Sequence, residues 1–246
     1  MAPSVQERAL DDPGEAMRFL ERLESGEFDL VICMTGTGLA FLRDQVAART
    51  SAERLGQALR SVAIVSRGPK PIPVLKQLGA RPALVVPEPN TWKEIVDAVA
   101  ARRERRIAVQ EYGRPNVAMN AALEKLGARV TPVVVYRWEL PGDLGPLQAA
   151  ARRLAERRFD VVLFTSSIQL EHLLGVAGRL GFASGVASAL REYVAIASVG
   201  PVMTAALETA GFSADIAPVH PKMAALVKAA SEMAQAVLAH KRAGFP

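Results

Sequence analysis

The sequence predicts an α/β protein built as two similar lobes, each a doubly wound parallel sheet. Three observations carry this: an internal repeat at an offset near 131 residues, short continuous apolar runs, and a helical pattern after each run. EFDLVICMTG (27–36) is echoed by RFDVVLFTSS (158–167). SVAIVSRGPKPIPVLKQLGA (61–80) is echoed by YVAIASVGPVMTAALETAGF (193–212), with Gly68 and Gly79 spaced like Gly200 and Gly211. ALVVPEPNTWKEIVDAVA (83–100) is echoed by DIAPVHPKMAALVKAASEM (215–233). Three matches in one order argue for duplication rather than chance.

In chain order, the helical pattern AMRFLERLESG (16–26) leads into the first apolar run, as LQAAARRLAER (147–157) does in the second copy. The runs LVICM, VAIVS, ALVVP, IAVQE and VTPVVVY lack polar alternation, as expected of strands covered by helices on both faces. RRIAVQEYGRPNVAMNAALEKLGARVTPVVV (105–135) gives the first lobe a fourth and fifth strand. The second copy stops after its third strand and a long helix over 222–239. Such a lobe leaves apolar sheet edge open, which proteins avoid. The sequence therefore predicts that an N-terminal strand-helix-strand unit of that lobe is missing and belongs ahead of Met1; the alternative is a small second lobe.

The 246 residues are half hydrophobic, enough for a substantial core and against disorder. Thirty Lys and Arg against 25 Asp and Glu give a formal charge of +5, which favours an anionic partner: nucleic acid, membrane surface or a polyacidic small molecule. The one cysteine, Cys33, sits in an apolar strand, so no disulfide framework exists and a reducing cytoplasm is the expected compartment. No apolar run reaches the roughly 18–20 residues of a membrane span, and MAPSVQERALDDPGE has no signal-peptide core.

Ligands of open parallel sheets gather beyond the carboxyl ends of the strands. Here those ends read Thr35-Gly36-Thr37-Gly38, Ser66-Arg67-Gly68-Pro69-Lys70, Tyr112-Gly113-Arg114-Pro115, Thr165-Ser166-Ser167 and Ser198-Val199-Gly200-Pro201. Each leads into a helix N-terminus, where free N–H groups and the helix dipole favour anions. Arg67, Lys70, Arg114 and Arg137 add positive charge. Any single small residue at such a turn is as readily a packing or capping feature; the number of them is what points to carboxylates or phosphates.

Other chemistries find no pattern. TGTG is neither a Walker A loop nor a GxGxxG fingerprint, and no acidic ribose ligand stands about 20 residues on, Asp44 and Glu53 being irregularly placed. His172, His220 and His240 share no ligand spacing, and no metal site is expected. A Gly-x-Ser-x-Gly elbow is absent. ARRERR (101–106) reads as a solvated helix end without the aromatics of a nucleic-acid surface. Neither nucleic acid nor membrane is expected as partner.

FDVVLFTSSIQLEHLL (159–174), VAIASVGPVMTAALETAG (194–211) and VVVYRWELP (133–141) together resemble the uroporphyrinogen-III synthase family, over nearly the whole chain. The resemblance implies two α/β lobes joined by a two-stranded antiparallel ladder: an inserted lobe at 11–131, the ladder at 3–9 and 132–139, and a second lobe at 140–246. It places about 30–40 family residues ahead of Met1. The implied activity is that of a cyclising hydro-lyase, closing hydroxymethylbilane to uroporphyrinogen III with inversion of ring D and loss of water. A cytoplasmic monomer without cofactor is expected.

The substrate's acetate and propionate carboxylates suit a basic interlobe cleft lined by helix N-termini. By the resemblance, Tyr136 is the proton-donor candidate, with a ladder residue joining two lobes as the alternative. The substrate-binding candidates are Thr35, Gly36, Thr37, Gly38, Ser66, Arg67, Gly68, Lys70, Tyr112, Gly113, Arg114, Thr165, Ser166, Ser167, Ser198, Gly200, Pro201 and Thr204. The family's threonine three residues past the strand-end glycine is replaced by Pro71 and Met203, with Thr204 one place later. That departure shifts weight from hydroxyls to backbone amides and keeps open a noncatalytic anion-binding or regulatory module.

Overall fold

The computed structural model describes residues 2–243. In chain order its elements are β1 (Gln6–Ala9), α1 (Gly14–Glu24), β2 (Leu30–Cys33), α2 (Gly36–Ala47), α3 (Ala52–Arg60), β3 (Ala63–Ser66), α4 (Ile72–Gln77), β4 (Leu84–Val85), α5 (Trp92–Ala100), β5 (Arg106–Gln110), α6 (Val117–Lys125), β6 (Arg129–Val133), β7 (Tyr136–Glu139), α7 (Gly145–Ala155), β8 (Val161–Phe164), α8 (Ser167–Arg179), α9 (Ala183–Glu192), β9 (Ala195–Ser198), α10 (Pro201–Thr209) and α11 (Met223–Arg242). Two compact units result, one of Glu7–Trp138 and one of Met1–Gln6 with Glu139–Pro246. The chain passes between them on β1 and β7, which form their own two-stranded antiparallel sheet; the Leu10 N–H donating to Val135 O continues that pairing.

The Glu7–Trp138 unit holds a parallel five-stranded sheet in the order β4-β3-β2-β5-β6. Its continuous apolar runs have a direct cause. Leu30, Ile32 and Met34 pack with Val65, Ile107 and Val109 on one face, while Val31 and Cys33 pack with Ile64 and Ala108 on the other. Both faces are roofed by helices, so alternation has no solvent side to serve. From β2 the chain moves outward through β3 to β4, then returns to start β5 on the opposite flank. The carboxyl ends of β2 and β5 are thus the topological switch point, where such sheets bind ligands.

The other unit repeats the plan in reduced form. β8 and β9 pair in parallel, with Ile196 facing α7–α9 and Ala195 and Ala197 facing α11. The third strand expected near 215–219 is one bridge, Ala197 to Ile216. Pro218 and Pro221 remove ladder donors, and Asp215 Oδ2 takes the Ile196 N–H at 2.7 Å. Among the described residues the second edge of β8 has no strand partner, and Leu163 is 39% exposed. α11 runs past the expected 239 to Arg242 because its end is anchored. Lys241 Nζ reaches Asp215 at 2.6 Å and the carbonyls of Leu190 and Val194 at 3.1 and 2.9 Å. ARRERR is less helical than expected: α5 stops at Ala100, and Arg106 opens β5 with its guanidinium on Asp29.

The glycines of TGTG answer to packing. A Cβ on Gly36 would stand 2.5 Å from the Lys70 carbonyl oxygen, and one on Gly38 only 2.0 Å from Gln110 Nε2. Gly175, inside α8, meets nothing within 4 Å. Gly38→Ala is therefore expected to cost about 1–3 kcal/mol through overpacking, while Gly175→Ala gains about 0.5–1 kcal/mol of helix propensity; urea unfolding of the two variants measures both.

Candidate functional site

In the Glu7–Trp138 unit, the residues at the switch point are tied together by side-chain bonds. The Thr35 N–H donates to Gln110 Oε1 at 3.2 Å, and Gln110 Nε2 donates to the Glu111 carbonyl. Thr35 Oγ1 caps α2 by accepting the Gly38 N–H at 2.9 Å. These bonds use two of the amides at this turn. Among the described residues the N–H groups of Gly36 and Thr37 have no acceptor, which leaves an anion-accepting first turn at the helix start.

The β3 end folds differently. Ser66 is fully buried and its hydroxyl donates to Gly68 O at 2.6 Å, so it holds the turn. Gly68 is packed by the Asn90 side chain, and Lys70 is exposed, with its carbonyl against Gly36. Arg67 is half-buried. Its guanidinium stands 5.4 Å from the centroid of the Tyr112 ring, and no carboxylate among the described residues pairs with it. Burial depresses its pKa, while the Tyr112 and Tyr136 phenols oppose the shift.

Tyr112, just past β5, is half-buried between Arg67 and Trp138, the two rings 5.6 Å apart. Gly113 adopts φ +72°, and a Cβ there would enter the Trp138 ring at 2.6 Å, so this left-handed turn exists to lay the indole down. Arg114 is exposed on the same turn. Tyr136 is 1% exposed, stacks on Phe41 at 5.5 Å and meets Trp138 edge-on. Its hydroxyl lies 3.5 Å from Thr35 Oγ1. Burial pushes its pKa up to about 12, the Thr35 hydrogen bond opposing, so the phenol keeps its proton at neutral pH. Thr35 to Gly38, Arg67, Tyr112, Gly113 and Tyr136 thus belong to one cluster.

The second unit carries the remaining candidates. Gln169 folds back over the start of α8, where its Oε1 accepts the N–H groups of Thr165 and Ser166 at 2.7 and 3.2 Å. Ser167 opens α8. Ser198 is fully buried; its hydroxyl donates to Gly200 O at 3.1 Å and accepts from Thr204 Oγ1 at 2.9 Å. Pro201 is the first residue of α10, and a Cβ on Gly200 would strike Pro221 at 2.7 Å. The hydroxyls of Ser198 and Thr204 are thus engaged with the turn itself. The duplication reaches single bonds: Ser66 to Gly68 O recurs as Ser198 to Gly200 O.

Sequence reasoning missed Gln110, Glu111, Asn116, Trp138 and Gln169. Three had a signal: IAVQE closes an apolar run with the polar Gln110 and Glu111, and Trp138 shares a strand face with Tyr136 two positions away. Among the described residues no group of His, Cys, Asp and Glu is arranged to hold a metal ion, and no helix is long and apolar enough to cross a membrane.

A profile of the family described as Uroporphyrinogen-III synthase HemD matches residues 1–228. The chain belongs to the uroporphyrinogen-III synthase family. Within curated proteins it is 29% identical over 201 residues to "Uncharacterized protein YjjA" of Bacillus subtilis (strain 168), covering 81% of this chain and 74% of that one. Two solved structures share the uroporphyrinogen-III synthase fold. A mutant uroporphyrinogen III synthase from the extremely thermophilic bacterium Thermus thermophilus aligns with TM-score 0.71 at 23% identity, over 95% of this chain and 88% of that one. The synthetase from Helicobacter pylori 26695 aligns with TM-score 0.56 at 13% identity, over 94% and 91%.

Glu111 supplies a test of the site's electrostatics. It is fully buried, and its Oε1 accepts from the Asn116 N–H and Asn120 Nδ2. Its Oε2 and the Asn120 Oδ1 have no partner. Burial raises its pKa, with the hydrogen bonds from Asn120 and Asn116 opposing. A raised acid favours folding while protonated, so its contribution is full below the unfolded pKa near 4.5 and is lost as pH climbs through the folded value. Glu111→Gln keeps the acceptor and adds a donor for Asn120. Its Tm should match wild type at pH 4.5 and exceed it increasingly as pH rises through the folded value, by roughly 2–4 °C for each kcal/mol recovered, as read by calorimetry across pH.

Proposed function

We propose that the chain is a uroporphyrinogen-III synthase, acting on hydroxymethylbilane as a cytoplasmic monomer. Arg67 carries the reading together with family membership. A half-buried guanidinium without a carboxylate partner among the described residues, on a turn whose backbone N–H bonds the Cys33 carbonyl at the end of β2, is a receiver for one carboxylate arm of the substrate. A desolvated cation left unpaired is costly, and a bound carboxylate removes that cost.

The reaction asks little covalent work of the protein. Loss of the ring A hydroxyl as water leaves an electrophilic azafulvene; ring D attacks through its substituted carbon; the spiro intermediate opens and recloses inverted, releasing a proton. Holding the chain ends in the inverting geometry can lower barriers by roughly 7–11 kcal/mol. Tyr136 gives its proton to the departing hydroxyl. Its elevated pKa keeps the proton available, and the Thr35 hydroxyl beside it steadies the phenol as the proton leaves.

A noncatalytic anion-binding module is the second reading, favoured by one observation: Thr204, nearest to the family's threonine position, has its hydroxyl on Ser198. One assay separates the two. Hydroxymethylbilane generated enzymatically should yield uroporphyrin III after oxidation; isomer I alone, the product of spontaneous closure, rejects the synthase. Arg67→Gln should lower kcat/KM by roughly 10- to 100-fold, the worth of a charge-assisted hydrogen bond. Tyr136→Phe should lower kcat by about 10²- to 10⁴-fold with KM little changed, and no alkaline loss of activity assignable to this phenol should appear below about pH 11, since its pKa is about 12.

A further inference from the structure

Asn116 does two things with one side chain. Its Oδ1 accepts the Met119 N–H at 3.1 Å and caps α6. Its Nδ2 donates to the Tyr112 hydroxyl oxygen at 3.0 Å. Helix capping needs only the first of these; serine or aspartate would serve. The second fixes a proton. A phenol oxygen that receives an N–H cannot spend its own O–H on that partner, so the Tyr112 proton is left for another acceptor.

Asn116 is itself held from behind. Its backbone N–H donates to Glu111 Oε1 at 3.1 Å, and the same oxygen takes Asn120 Nδ2 at 3.0 Å. Glu111 has no cation partner among the described residues. A continuous chain of contacts therefore runs from a buried carboxyl through Asn116 to the Tyr112 phenol, whose ring lies under the Arg67 guanidinium. Trp138 closes the other side of Tyr112.

We propose that Arg67 and Tyr112 form a clamp for a single substrate carboxylate, the guanidinium supplying charge and the phenol a second donor, with Asn116 and Glu111 as the positioning residues that aim the phenol. This deepens the synthase reading and rests on it. The Tyr112 hydroxyl binds a carboxylate that is present before and after the reaction, so its contribution is uniform binding and appears in KM rather than kcat.

Asn116→Asp separates aiming from capping. The new carboxylate keeps an acceptor for the Met119 N–H but replaces the amide donor with an acceptor, so the Tyr112 O–H turns inward to meet it. Both N116D and Y112F should raise KM for hydroxymethylbilane by roughly tenfold or more, with kcat within about twofold and Tm close to wild type. A wild-type KM in both variants, with isomer III still formed by the parent protein, overturns the clamp and leaves the synthase reading standing. Should the parent protein give only isomer I, the synthase reading fails instead. Quenching of Trp fluorescence by uroporphyrin III, a polycarboxylate of the same class, then decides the clamp: affinity weakened roughly tenfold in both variants supports it, and equal affinity overturns it.

Discussion

The buried Gln110 amide is the contact on which the Glu7–Trp138 unit's strand-end cluster depends. It reaches from the end of β5 across the switch point to the Thr35 N–H and turns its own N–H₂ back to the Glu111 carbonyl, so both ends of the amide are satisfied. A buried amide with both ends used fixes distances that apolar packing leaves loose. Thr35 is thereby held where its hydroxyl caps α2 and faces Tyr136, and α2 must approach so closely that residue 38 has no side chain. Glycine at 38 is a consequence of glutamine at 110.

Much of the architecture was readable because it is written in periodicity and repetition. Five apolar runs became the five strands of one sheet, and the echoed segments became the β8–β9 pair with its helices. Tyr136 and Trp138 sit two apart on β7, a spacing that puts both rings on one face. The roles of Gln110, Asn116 and Gln169 were not legible in the same way, although IAVQE marks Gln110 as a polar end to an apolar run. Their roles lie in single hydrogen bonds, one spanning 75 positions, and such bonds leave no period. The third strand of the second unit is weaker than its sequence suggests for a related reason: DIAPV is apolar enough for a strand, but its proline and the Asp215 side chain take the places of ladder bonds.

TGTG also shows how one motif can serve two ends. Its glycines are required by steric contact with Lys70 O and Gln110, which is a packing explanation complete in itself. The amides of Gly36 and Thr37 nevertheless stay open, because the cap and the glutamine consume the Thr35 and Gly38 N–H groups instead. Arg67, whose backbone N–H bonds the Cys33 carbonyl at the end of β2, lies over an aromatic ring with no acid paired to it among the described residues, a placement that lowers its hydration while preserving its charge. Close packing and open amides coincide here because both follow from bringing the backbone of α2 close to neighbouring turns.

The Lys241 anchor has a bearing on synthesis order. All of the Glu7–Trp138 unit is translated before α7, and its sheet needs nothing that follows. The other unit takes in residues ahead of Glu7, and its half-buried ion pair, Lys241 with Asp215, forms only once α11 has been translated. During translation the one unit can be finished and at rest while the other still lacks the ammonium that joins α11 to the carbonyls behind α9. Nascent chains should therefore pass through a stage with one folded half and one exposed apolar half, and the interval before Lys241 emerges is when chaperones have most to do.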